Sequence, residues 1–302
     1  MSVVLTNLSN RLYEDSRFRL NASAGRFGID RVRSHDWEDL RSTTFYQENR
    51  DILDQPTGMG FWLWKPHIIL EALESVAEGD MVVYLDSGVE LIASLEPLFS
   101  LCREGNPVLL FGNGNLRNGA WTKRDCFILM DCDGEAYWNA PQCDAACCLF
   151  QRSEPTLQFV RDWLRYCRDP RVITDAPNTC GKRNLPEFVE HRRDQSVLSL
   201  LAQRHGLPLF RMPTQFGNHY KMHPYRLEGE FNCVDQYRQE QVRHYAVIPY
   251  YNSPYPQLLD HHRQRKGGGR KKISALQFLV RVIRKRYNRW MNAYSLRRES
   301  HA

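Results

Sequence analysis

No apolar run in this chain reaches membrane-spanning length, neither a GxGxxG nor a GxxxxGK[ST] loop is present, and no two cysteines have CxxC spacing. Each absence removes a class. A spanning helix needs about 20 mostly apolar residues, so none is expected. Without a glycine-rich cradle, the phosphate loop of ATPases and the dinucleotide turn are not expected either. Nine cysteines, an odd number, argue against a disulfide framework and for a reduced, cytoplasmic protein. The N-terminus carries no basic stretch followed by an apolar one, as a secretory signal would. Acidic residues are also missing from one region. Residues 261–298 hold thirteen Lys and Arg and no Asp or Glu, whereas residues 1–260 carry 28 basic against 34 acidic groups. A mildly acidic body is followed by a strongly basic tail, which argues against nucleic acid as the partner of the body.

The remaining pattern is α/β. Val3–Thr6 is β-prone, residues 17–24 are helical in character, and Phe27–Val32 reads as a turn into a second strand. Residues 36–49 and 66–77 carry helical periodicity, as do 95–103, 154–167 and 197–205. Strands are expected at 81–85, 108–111, 142–150 and 207–212. Residues 168–187, rich in Pro, Asn and Gly, read as a surface loop. Residues 213–255 give no clear period. Gly267–Gly269 is a hinge, so the chain divides into a domain over 1–262 and a basic tail over 263–302.

Two stretches carry the chemistry. Gly58-Met-Gly-Phe-Trp-Leu-Trp-Lys-Pro66 is an aromatic, glycine-flanked segment, read as an extended loop with Trp62 and Trp64 on one face. Gly79-Asp-Met-Val-Val-Tyr-Leu-Asp-Ser-Gly88 is an apolar strand that ends on Asp86. A carboxylate at the carboxyl end of a buried parallel strand sits where open α/β sheets bind ligands. Gly88 allows close approach of a phosphate. Hard divalent cations take oxygen ligands and bridge phosphates, so Asp86 could hold Mg²⁺ or Mn²⁺ against a diphosphate. Alternatively, it is a turn aspartate.

With Lys123-Arg-Asp125 and His191-Arg-Arg-Asp-Gln-Ser196, these blocks read GxGxWxWKP, GDxxxYLDxG, KxD and HRxDQS. As a set over residues 1–262 they resemble bacterial capsule and surface-polysaccharide glycosyltransferases, enzymes similar to the GT-A nucleotide-sugar transferases. The resemblance implies a GT-A-like, Rossmann-like mixed sheet flanked by helices. It also implies a nucleotide-sugar donor, a glycan or lipid-linked glycan acceptor, and a Mn²⁺ or Mg²⁺ cofactor. Asp86-Ser-Gly88 lacks the second acid of the DxD pattern. Trp64, Lys65, Asp86, Gly88, Lys123, Arg124, Asp125 and His191 become donor-binding candidates. Asp194 becomes the candidate base, with Gln195 bonding sugar hydroxyls. A late histidine in such enzymes serves the metal, which points to His262 as a second ligand beside Asp86 and to Arg263 as a diphosphate clamp.

Each assignment has a plainer competitor. Lys123-Arg124 is also a solvated turn pair, Asp194 a helix N-cap, the tryptophans core, and His261-His-Arg263 a solvated charge run. In the tail, Leu276, Leu279, Ile283, Tyr287 and Trp290 form one helical stripe among Arg281, Arg284, Lys285 and Arg289. A basic amphipathic helix over 270–291 suits an anionic membrane surface, at the inner face of the plasma membrane. Its alternatives are a helix docked on the protein itself or a nucleic-acid-binding tail. A catalytically degenerate scaffold is the remaining alternative for the body.

Overall fold

The computed structural model describes residues 1–218, 230–235, 240–245, 252–262 and the single residue 283. Ten strands appear among them: β1 Val3–Ser9, β2 Arg31–Asp36, β3 Met81–Leu85, β4 Val89–Leu91, β5 Val108–Arg117, β6 Pro141–Gln151, β7 Leu209–Phe210, β8 Glu230–Asp235, β9 Glu240–Tyr245 and β10 Leu259–His261. Six build a central mixed sheet in the order β2-β1-β3-β6-β5-β7. β1 pairs in parallel with both β2 and β3, and β5 with β7, whereas β6 runs antiparallel to β3 and β5. The α/β expectation of a mixed sheet flanked by helices is met.

Strand alternation gives the sheet two apolar faces. Met81, Val83 and Leu85 join one core with Leu5, Leu20 and Phe99. Val82 and Tyr84 point to the other, formed with helices Trp64–Glu74, Glu154–Cys167 and Asp194–Arg204. All of β3 is buried. It reads as a continuous apolar run because helices cover both sides.

Several boundaries differ from the sequence expectation. The 58–66 segment is not extended. A short turn at Gly58–Phe61 leads directly into the helix Trp64–Glu74, two residues before Pro66. Pro66 fits because the first turn of a helix leaves its N–H groups unpaired in any case. The unassigned 213–255 region includes the β8–β9 hairpin. Arg263 and residues 270–282 and 284–291 lie outside the described residues, so the tail assignments are not addressed by the fold.

Candidate active site

In the order β2-β1-β3 the chain steps from β1 to β2 on one side and then crosses to β3 on the other, which makes the carboxyl end of the β1/β3 pair a topological switch point. A cavity of about 750 Å³ opens there. Ser9 and Asn10 reach it from the end of β1, and Asp86, Ser87 and Gly88 from the end of β3. Trp62, Trp64 and Lys65 form another part of the lining, with Arg192, Arg193, Asp194 and Gln195 facing them.

Lys65 stands at the centre. Only 3% exposed, its ammonium donates to the Ala145 carbonyl at 2.9 Å. Its Nζ lies 3.1 Å from Asp194 Oδ2 and 3.5 Å from Asp86 Oδ1, and 5.2 Å from the centre of the Tyr84 ring. Burial works against this charge, but the Asp194 and Asp86 carboxylates outweigh it and raise the Lys65 pKa. The Tyr84 hydroxyl donates to Asp86 Oδ1 at 2.6 Å. Asp194 is equally buried, and burial pushes its carboxyl up to about 6 against the pull of Lys65.

Local backbone makes this meeting possible. Between Leu110 and Phe111 the β5–β6 register shifts past residues 145–147 of β6, and Ala145 and Ala146 of this bulge line the cavity. The bulge presents the Ala145 carbonyl to Lys65 and the Ala146 carbonyl to the Asp86 N–H at 2.9 Å. In the 58–64 turn, Met59, Gly60, Phe61 and Trp62 all have positive φ, and Trp64 Nε1 donates to the Gly58 carbonyl at 3.0 Å. At Gly60, with φ +85, a Cβ would stand 2.5 Å from Leu53 Cα. Arg193, at φ 57, precedes the helix Asp194–Arg204 and stacks on Trp62 at 5.9 Å. Non-glycine residues held at positive φ store strain, and four of the five among the described residues, all but Asp131, belong to the two segments that wall this cavity.

Asp194 is not an N-cap. Arg193 holds that position and makes no capping hydrogen bond, which leaves the Asp194 carboxylate turned to Lys65. Gln195 Nε2 donates to Gln142 Oε1 at 2.8 Å. Trp64 is core as well as lining, whereas Trp62 is only partly buried.

Lys123, Arg124, Asp125 and His191 do not line this cavity. They fasten the strap that carries 192–195 into it. Lys123 Nζ donates to the carbonyls of Thr174 (3.3 Å) and Ala176 (2.9 Å). Asp125, fully buried, accepts from the backbone N–H groups of Thr179 and Cys180 and from the Thr179 hydroxyl. His191 Nδ1 accepts the Lys123 backbone N–H at 3.3 Å, so its Nε2–H donates to the Val172 carbonyl at 2.8 Å. Burial lowers the His191 pKa to about 3, consistent with that neutral ring. Arg124 pairs with Asp133 at 3.0 Å and stacks on Trp138. These residues are neither solvated turn charges nor cavity walls.

The donor set does not fit a divalent ion held by Asp86 and His262. Asp86 Oδ1 already accepts the Tyr84 hydroxyl and faces Lys65. His262 is 1% exposed and packs beside Glu90 and Arg19, outside the cavity lining, with its backbone N–H on the Gly88 carbonyl. Burial lowers its pKa to about 4. Among the described residues no group of three or more His, Cys, Asp or Glu is arranged to hold a metal ion.

Sequence reasoning missed Asn10 and Tyr13, Asp144 beside the β6 bulge, Glu190, Arg192 and His261, all of which line the cavity. A strand-terminal Asn10 ahead of a turn could have been flagged by the rule that placed Asp86. The Asp144 position depends on a bulge that has no sequence mark.

No protein-family model matches this chain, and neither does any curated protein. Among solved structures, apo mouse xyloside xylosyltransferase 1 superposes with a TM-score of 0.45 at 9% identity, over 87% of this chain and 98% of that one. The apo WbbM bifunctional glycosyltransferase gives 0.39 at 13% identity, over 66% of this chain and 37% of that one. Both neighbours are glycosyltransferases. At this level of similarity neither one bears on what this chain does.

Proposed function

We propose that this chain is a glycosyltransferase that moves a sugar from a nucleoside-diphosphate sugar to a hydroxyl of a surface glycan or a lipid-linked glycan precursor. One observation carries this reading. Three sequence blocks far apart in the chain, 58–66, 79–88 and 191–196, meet on one cavity at the carboxyl end of β1 and β3, with Lys65 bridging Asp86 and Asp194. The fourth block, 123–125, holds the strap behind it.

In this reading the acceptor hydroxyl attacks the anomeric carbon as the bond to the nucleoside diphosphate breaks. Asp194 accepts the hydroxyl proton, a role suited to a carboxyl raised toward neutrality by burial. Arg192 and Arg193, whose side chains line the cavity, offset charge on the departing diphosphate. Trp62 and Tyr13 supply flat apolar surface for a sugar or base. Asp86 and Gln195 offer acceptors and donors to sugar hydroxyls. The basic stripe of 270–291 would keep the enzyme at an anionic membrane, where lipid-linked acceptors lie.

The test is calorimetric titration of UDP, GDP and their sugars into the full chain, followed by donor-hydrolysis assays. The expected result is saturable binding of one nucleotide class, weakened at least about tenfold, or 1.4 kcal/mol, in Asp86→Asn. Binding unaltered by Asp86→Asn removes Asp86 from the donor site. Absence of binding and turnover across the donor panel rejects the activity.

A further inference from the structure

The Lys65 ammonium fills the space between two carboxylates that a divalent cation would otherwise bridge. It is fixed there by a third bond, to the Ala145 carbonyl on the β6 bulge, and by its origin in the first turn of the helix Trp64–Glu74. Both carboxylates are turned inward onto it, Asp194 from the start of one helix and Asp86 from the end of β3. Tyr84, from within the same strand, adds its hydroxyl to the Asp86 oxygen that faces the lysine. A metal on that oxygen would have to displace a hydrogen bond and lie close to an ammonium. At a few ångströms, in a partly desolvated site, like charges repel far more strongly than they do in bulk water.

We infer that Lys65 is a built-in cation which replaces a divalent ion at Asp86, holding Asp86 and Asp194 in register so that this site binds its nucleotide without a metal. The nucleotide half of this statement rests on the glycosyl-transfer reading; the cation half does not. Lys65 is a positioning residue and acts on the substrate through the two carboxylates. Among the described residues the cavity lining carries four carboxylates, Asp86, Asp144, Glu190 and Asp194, against the cations Lys65, Arg192 and Arg193. Removing the lysine would leave the two carboxylates with no cation between them, Asp194 buried and Asp86 at the cavity wall. That arrangement recruits a hard cation or forces one carboxyl to hold a proton.

The experiment has two arms. In the first, Mn²⁺ alone is titrated into the full chain and followed by electron paramagnetic resonance, with no nucleotide present. Wild type is expected to show no stoichiometric site. Lys65→Met is expected to bind Mn²⁺ at least about tenfold more tightly, Asp86→Asn added to Lys65→Met to lose that gain, and Lys65→Arg to resemble wild type. A stoichiometric Mn²⁺ site in wild type that Asp86→Asn abolishes overturns the inference, and needs no variant of Lys65 to fold. In the second arm, nucleotide binding is measured by calorimetry in EDTA and in Mn²⁺. Affinities equal within about twofold support the inference, and binding seen only with Mn²⁺ overturns it. If no nucleotide binds in either condition, the transferase reading fails while the Mn²⁺ arm still decides the role of Lys65.

Discussion

The carboxylate of Asp125 accepts the backbone N–H groups of both Thr179 and Cys180, residues that follow it by more than fifty positions. This bond set ties the middle of the 174–193 strap to the first turn of the helix Arg124–Leu129. Asp125→Asn keeps the shape but weakens charge-assisted acceptors in a fully buried place. A loss of about 2 kcal/mol is expected in urea unfolding. Burial raises this carboxyl, but the bonds from Cys180 and Thr179 outweigh it and leave the pKa below its ordinary 3.8. The folded pKa is therefore the lower one, and the stabilisation is present above 3.8 and disappears as the pH falls through the folded value. The variant should lack that acid-side decline.

Asp194→Asn should fold normally and lose about 10²–10⁴-fold in kcat with little change in KM, as removal of a general base does. In wild type the rate should fall as the pH drops below about 6, where burial places this carboxyl. Stability runs the other way. The folded pKa lies above the ordinary 3.8, so the contribution is full below 3.8 and is lost as the pH rises to about 6. A stability profile of Asp194→Asn, measured by denaturant titration over that range, should be flatter than that of wild type.

Trp62→Ala should raise KM or the nucleotide dissociation constant about tenfold, with Trp62→Phe intermediate. Quenching of tryptophan fluorescence by ligand should shrink in Trp62→Ala. An unchanged affinity and an unchanged quench would remove Trp62 from the binding wall.

Gly60→Ala tests the turn beneath that wall. The added Cβ meets Leu53 Cα, in backbone that cannot rotate away, and alanine is strained at φ +85. A cost of about 1–3 kcal/mol in thermal or urea unfolding is expected.

The apolar stripe of the tail makes a separate prediction. In the full chain, Arg281→Glu with Arg284→Glu and Lys285→Glu should reduce co-sedimentation with phosphatidylserine vesicles. Each removed cation near an anionic surface is worth about 1 kcal/mol. Binding to neutral vesicles should be weak for both proteins.

How much of this was legible in the sequence depended on how local each signal is. β3 and its terminal Asp86 were readable because a buried parallel strand is a run of apolar residues that any window detects. The helices that cover it are likewise announced by their helical periodicity. The 58–64 turn reads as extended from the sequence, since five consecutive positive φ values at Gly58-Met-Gly-Phe-Trp62 have only two glycines to announce them. Lys123, Asp125 and His191 read from the sequence as donor-binding candidates, whereas in the fold they fasten the strap. Their partners are backbone atoms at 172–180, and no side-chain pattern encodes such bonds. The Lys65–Asp194 pair was invisible for a related reason. It depends on Arg193 taking φ 57, which frees Asp194 from capping its own helix.

One thiol on the strap offers a chemical clock. Among the cysteines whose surroundings are described, Cys180 alone is partly exposed, and the other seven are buried. Burial, followed by its contact with Asp125, raises the Cys180 pKa, so alkylation in the resting protein should be slow. With Cys233 replaced by serine, the rate of maleimide capture at Cys180 becomes a stopwatch for each release of the strap, readable with no ligand in hand.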